Sequence, residues 1–175
     1  ASEMVGEFPE LQGTMGKYYA LASGENTEVA NAIEQHYYPR FSGDELPNSS
    51  LATVMSLADK LESLVGIWGI GLIPTGDKDP YALRRAALGI VRILLEYKLD
   101  LAQLLAVSLA AFAGKNLSAN AADEVYEFIK QRLANYFISV ENYSTKVVNA
   151  VLANEQVNFA QVIAVCQAFS LWASA

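Results

Sequence analysis

Residues 79–114 read DPYALRRAALGIVRILLEYKLDLAQLLAVSLAAFAG, and this stretch decides the fold class. Asp79-Pro80 is a helix start: the aspartate accepts a backbone N–H as N-cap, and proline at the first helical position has no N–H to lose. The spacing predicts a helix from Pro80 to about Tyr97. Asp100 caps the next, which runs to about Phe112 and ends at Gly114. None of the five prolines falls after Pro80, which leaves nearly a hundred residues free of the strongest helix breaker.

The pattern continues on both sides. Downstream, Ser118 or Asn120 opens a long helix to about Ser139, with Val125, Phe128, Ile129, Leu133, Tyr136 and Phe137 as its apolar stripe. Ser144 caps a short helix over 145–153, and Asn158 caps a last one over 159–172. Upstream, residues 3–22 read as helix, interrupted or restarted at Pro9, with Gly13 and Gly16 permitting close packing. Ser23-Gly24-Glu25-Asn26 is a turn. A helix then runs from Thr27 to Tyr37 and stops before Pro39, because a residue preceding proline is pushed out of the α region. Residues 39–49 form a loop. Ser50 to Ile67 is helical again, with Leu51, Val54, Met55, Ala58, Leu61, Leu64 and Val65 as its apolar face. Gly66, Gly69 and Gly71 then loosen the chain before a turn at Ile73-Pro74-Thr75-Gly76. No alternation of period two persists anywhere, so the expectation is an all-α fold, a multi-helix bundle. Its seam lies near Gly71–Asp79, too short for a flexible linker, so the two halves are expected to pack on each other.

Composition narrows the function classes. Hydrophobic residues make up 53% of the 175, enough for a core, and charged residues only 18%, too few for a disordered chain. The net charge of −7 argues against indiscriminate nucleic-acid binding, which needs many phosphate-neutralising cations. A local basic patch stays compatible with it. The single cysteine, Cys166, has no internal disulfide partner and sits in an apolar run, which fits a reducing cytoplasm. The longest apolar stretch, Leu101–Ala113, is about 13 residues long, whereas a membrane span needs roughly 20. The chain opens at Ala1-Ser2 without methionine and enters a helical pattern at once, as an excised fragment would.

Three features bear on chemistry. His36, the lone histidine, falls near a predicted helix end. The plain reading there is a ring interacting with the last carbonyls; the functional one is acid–base or metal chemistry. Asp59 lies in Leu57-Ala58-Asp59-Lys60-Leu61. It is either a solvent-facing acid beside Lys60 or the counterpart of a closing metal ligand in the HD superfamily of phosphohydrolases, whose helix reads much like "ADKL". That site also needs a His-Asp pair, which this sequence lacks. A hydrolytic metal needs about three or more protein ligands, so His36 and Asp59 read as vestigial positions, and no metal is expected. The densest basic feature is Lys78, Arg84, Arg85 and Arg92. Arginine presents a planar donor fork to phosphate oxygens, although Asp77, Asp79 and Glu96 offer ordinary ion pairing. Gly76-Asp77-Lys78 is no P-loop: the spacing fails and no strand precedes it.

The stretches EMVGEFPELQGTMGKYYA (3–20), AIEQHYYPRFSGDELP (32–47), LADKLESLVGIWGIGLIPTGDKDPYALRRAALGIVRILLE (57–96) and FIKQRLANYF (128–137) resemble successive motifs of the bacterial glycyl-tRNA synthetase beta subunit. The third is the most specific, since PTGDKDPYALRRAALG is long and compositionally unusual. The resemblance implies an HD-like helical half over 1–72, packed on a helical body over 73–175 that precedes an anticodon-binding domain. It implies a glycine–tRNA ligase of two subunits, in which glycine is activated with ATP and Mg on the alpha subunit. Beta handles tRNA(Gly), with neither DNA nor a membrane as partner and a cytoplasmic location. Motif matching assigns this chain no catalytic residue, no metal and no cofactor of its own. Arg40, Lys78, Arg84 and Arg85 are the expected phosphate contacts, with the acidic remainder repelling misplaced RNA. Two other readings compete: an HD-type metal-dependent nucleotide phosphohydrolase, and a purely structural module joining subunits, for which Val65–Leu72 offers an apolar surface, although internal packing is the plainer reading of that segment.

Overall fold

The computed structural model describes residues 3–75, 78–153 and 158–173. Among them are nine α-helices and no strand; Thr75 and Lys78 form one isolated antiparallel bridge. The helices are α1 (Glu3–Glu7), α2 (Thr14–Ala22), α3 (Thr27–Gln35), α4 (Ser50–Gly69), α5 (Leu83–Tyr97), α6 (Leu101–Ala111), α7 (Ala121–Ser139), α8 (Thr145–Leu152) and α9 (Val162–Ala173), with a 3-10 turn at Pro9–Leu11. The chain divides into two compact units, Ala1–Lys60 and Leu61–Ala175, so that the division falls inside α4.

In the first unit α2 packs on α3. Gly16 makes that approach possible: a Cβ there would stand 2.7 Å from Ile33 Cγ2, well inside van der Waals contact. Lys17 Nζ reaches Glu34 Oε2 at 2.8 Å across the same pair. Asn26 caps α3, its Oδ1 accepting from Val29 N at 2.8 Å. The helix ends at Gln35, two residues short of the expected Tyr37, ahead of the Tyr38–Pro39 peptide, which is cis.

The first half of α4 overturns its expected orientation. Leu51, Val54 and Met55 are exposed, as is Ala58, whereas Ala52, Thr53, Ser56, Leu57 and Lys60 are buried. The buried set recurs every three or four residues and so forms one face. That face meets the chain between His36 and Ser49, whose backbone carbonyls need donors once removed from water. Thr53 Oγ1 donates to Ser49 O at 2.8 Å, and Ser56 Oγ donates to Tyr38 O. Hydropathy alone points the helix the other way; carbonyl satisfaction decides it.

The second unit is built around α7, which packs on α5, α6 and α8, with α9 on α8. Its core is Leu83, Ile90, Val91 and Leu94 of α5, Val125, Ile129, Leu133 and Phe137 of α7, Val148 of α8 and Cys166 of α9, all fully buried. The stripe read from the sequence of α7 is correct except for Tyr136, which is only half-buried. The helical end of α4 also differs from expectation: Gly66 and Gly69 do not loosen the chain but lie within the helix. A Cβ on Gly69 would fall 2.7 Å from Leu117 Cδ2, so glycine here serves close packing. Trp68 anchors this end, its ring 4.7 Å from that of Phe128 and its Nε1 donating to Glu124 Oε2 at 2.7 Å.

Two helix starts are corrected. The helix expected from Pro80 begins at Leu83, after a turn in which Ala82 N donates to Asp79 O and Ala82 adopts φ 54°. Asp79 still caps, but from a distance: Oδ1 accepts from Leu83 N at 2.8 Å and Oδ2 from Arg84 N at 2.9 Å. The last helix begins at Val162 rather than 159, because Asn158 closes a turn first, with Gln161 N donating to its carbonyl. Asp100 and Ser144 cap α6 and α8 as expected. No helix among the described residues is long and apolar enough to cross a membrane.

Candidate nucleic-acid interface

The cationic positions fall in both units. In the first, Arg40 follows α3 in the loop. Its Nε and Nη2 donate to Asp44 Oδ2 and Oδ1 at 2.8 and 2.9 Å, and its backbone N donates to Oδ2 at 2.7 Å. The guanidinium beside Asp44 holds that carboxyl down at about 2, and the hydrogen-bonded Asp44 carboxylate in turn raises the pKa of Arg40. The guanidinium also lies 4.7 Å from the centre of the Tyr38 ring. Arg40 thus locks its loop through one edge of its fork, while nearly half of its side chain, 46%, stays exposed.

Lys60, which the sequence reading passed over as the partner of Asp59, is the buried cation of this unit. Its Nζ donates to His36 O at 3.0 Å, Tyr38 O at 2.9 Å and Ser56 Oγ at 2.8 Å, which uses all three ammonium protons. Burial pushes its pKa down to about 8, against the opposing pull of Asp59 and Asp44. Asp59 itself faces solvent. His36 is the C-cap of α3, with Nδ1 2.7 Å from Ile33 O, the plain role read from its sequence position. Among the described residues no group of three His, Cys, Asp or Glu side chains is placed to hold a metal ion.

In the second unit the sequence cluster becomes the head of α5. Lys78 and Arg85 are exposed, and Arg84 and Arg92 half-buried. Asp77 lies outside the described residues, and Asp79 is engaged in capping. A residue the sequence reading did not single out belongs to this neighbourhood. Arg132 of α7 stacks its guanidinium 5.5 Å from the centre of the Phe128 ring, and Arg84 and Asp79 are near enough to act on its charge. The available signal was the spacing of Phe128 and Arg132, four apart on one helix face, inside FIKQRLANYF. A groove of about 470 Å³ beside α6 and α7 has a different character: Asp123 and Glu127 line it with Leu105, Leu109 and Tyr126, so it repels phosphate.

The family model for the glycyl-tRNA synthetase beta subunit matches residues 1–153. The chain belongs to the glycyl-tRNA synthetase beta subunit family. The glycine–tRNA ligase beta subunit of Neisseria meningitidis serogroup C (strain 053442) is 56% identical over 167 residues, 95% of this chain and 24% of that relative. That of Neisseria gonorrhoeae (strain NCCP11945) is 54% identical over 171 residues, 98% of this chain and 25% of the relative. The Ralstonia nicotianae subunit is 48% identical over 175 residues, 99% of this chain and again 25% of the relative. The chain therefore spans about a quarter of the length of the curated relatives it matches. The membership is the one that the motifs at 3–20, 32–47, 57–96 and 128–137 implied.

Proposed function

We propose that this chain is a tRNA-supporting and architectural segment of the beta subunit of a two-subunit glycine–tRNA ligase. The observation that carries the reading is local: Lys78, Arg84 and Arg85 gather at the head of α5 in a chain whose net charge is −7. Specific RNA binding needs a few well-placed phosphate contacts rather than a basic surface throughout, and the acidic remainder repels misregistered RNA. Arg40, in the first unit, is a separate phosphate contact in this reading, through its exposed edge. In this reading glycine is activated with ATP and Mg on the alpha subunit, tRNA(Gly) is the second partner, and the site of action is the cytoplasm. Residues 1–72 correspond to the rear of an HD-like helical domain with His36 and Asp59 as vestigial positions. Residues 73–175 correspond to the helical body before an anticodon-binding domain. The engagement of His36 with Ile33 O and the outward position of Asp59 favour this reading over an HD-type phosphohydrolase.

The test is Arg84→Ala combined with Arg85→Ala in the complete ligase. The expected result is tRNA(Gly) affinity lowered roughly tenfold or more, with the slope of log affinity against log salt reduced by about two. Unchanged affinity at low and moderate salt removes the pair as phosphate contacts. The subunit-joining reading draws on the exposed Leu51, Val54 and Met55 of α4 and Leu171 and Trp172 of α9. It predicts association with the alpha subunit that is indifferent to these arginines.

A further inference from the structure

The loop after α3 presents an aromatic ring to solvent from a fixed base. Phe41 is 59% exposed. The residues beside it hold its backbone: Arg40 donates to Asp44 through Nε, Nη2 and its own backbone N, and Asp44 N donates to Phe41 O at 3.2 Å. Asp44 is buried. The stem of the loop is anchored as well, since the Tyr38 carbonyl accepts from Lys60 Nζ and Ser56 Oγ. The Arg40 guanidinium lies 5.9 Å from the centre of the Phe41 ring and 4.7 Å from that of Tyr38, so one cation is set against two rings. An exposed ring that serves a protein contact ordinarily belongs to a larger apolar patch. Here its exposed neighbours along the loop are Arg40, Ser42, Gly43 and Glu45, none of them with a hydrophobic side chain.

We infer that Phe41, flanked by Arg40, is a stacking site for an unpaired base of RNA. A nucleobase has a flat π face that a single ring can cover without an apolar surround, and a guanidinium beside the ring can meet the attached phosphate. Ring and cation alternate in the loop as base and phosphate alternate in a strand. A base inside a duplex offers no free face, so the site takes single-stranded nucleotides. Because Asp44 fixes the loop before any ligand arrives, little ordering entropy opposes the stack. The Arg40 charge is already paired with Asp44, and Glu45 is exposed in the same loop, so the ring rather than the cation carries most of the affinity. The inference rests on the reading of this chain as a tRNA-supporting segment and adds to it the class of nucleotide that is met at this loop.

The experiment uses the complete beta subunit with its companion subunit, and labelled tRNA(Gly) titrated over a salt series. Wild type is compared with Phe41→Leu, which keeps an apolar side chain without a π face, with Phe41→Trp, which enlarges that face, and with the Arg84→Ala/Arg85→Ala pair, each checked for an unchanged melting temperature. Phe41→Leu is expected to weaken tRNA binding about fivefold or more with no change in the salt slope, because stacking releases no counterions. Phe41→Trp is expected to bind as tightly as wild type or more so. A single-stranded RNA and a duplex of equal phosphate number, used as competitors, give a second readout: the leucine variant should lose affinity for the first and not for the second. Wild-type affinity in Phe41→Leu, with weakened binding in the arginine pair, overturns the stacking site and leaves the patch at the head of α5 standing. Wild-type behaviour in all of the variants removes the patch as well. A tryptophan variant as weak as the leucine one, an equal loss toward strand and duplex, or a lowered salt slope overturns the base assignment. Weaker association with the companion subunit at wild-type tRNA affinity assigns the ring to a protein contact and overturns it too.

Discussion

Lys60 shows what one side chain can decide. Its three hydrogen bonds tie the C-terminal end of α3 and the Tyr38 carbonyl to α4, and it is only 7% exposed. The folded-state pKa, about 8, lies below the ordinary 10.5. Between those values the unfolded chain holds the proton that the folded chain has lost, so stability rises as pH climbs through this window and the gain is lost as pH falls through about 8. The whole step is on the order of 3 kcal/mol. Denaturant unfolding of wild type and Lys60→Met from pH 7.5 to 10 is the check: wild type should gain about 2 kcal/mol relative to the variant over that range. Parallel curves would show that the ammonium is not desolvated. The other titratable neighbours of Lys60, Asp44, Asp59 and Tyr38, are common to both proteins, so the difference isolates the lysine.

At the scale of the element, α5 is the helix on which the proposed interface stands, and its start depends on Asp79. A turn intervenes between Asp79 and Leu83, yet both carboxylate oxygens reach the first backbone N–H groups of the helix. Asp79→Ala leaves those donors without a side-chain acceptor and is expected to destabilise the second unit by about 1–2 kcal/mol. Asp79→Asn, which keeps one acceptor oxygen, should recover part of the loss. Thermal melts of the two variants against wild type decide it; an alanine variant as stable as wild type would mean that water caps the helix equally well. Because the cap also fixes where Arg84 and Arg85 project, the alanine variant should weaken tRNA binding more than its stability loss alone implies.

For the molecule as a whole, apolar surface is unevenly placed. The chain has two tryptophans, Trp68 at 7% exposure and Trp172 at 78%, the latter beside Leu171 at 73%. A helix apolar around most of its circumference ordinarily lies in a core, yet α9 buries Val162 and Cys166 and exposes Ile163, Val165 and Phe169. In dilute solution a polar quencher such as iodide should therefore reach one tryptophan and not the other, and Trp172→Phe should remove the quenchable emission. Protection of Trp172 when the companion subunit is added would place α9 in their interface. Protection that grows with the concentration of this chain alone would point to self-association.

The sequence by itself determined the helical fold class, the family, the caps at Asp100 and Ser144, and the core stripe of α7 apart from Tyr136. Each of these rests on short-range rules, such as cap chemistry and apolar period, or on long motifs. Tertiary structure decided what depends on partners distant in the chain. The expected apolar face of α4 was reversed in its first half, because the carbonyls of His36 and Tyr38 take their donors from its polar face. The glycines at the end of α4 proved to be packing positions once Leu117 lay against Gly69. The cationic run at 78–92 was legible as a cluster, but only the folded loop set Arg40 on Asp44 and against the Tyr38 and Phe41 rings. A linear pattern records what each residue is; only the fold records which donor meets which acceptor.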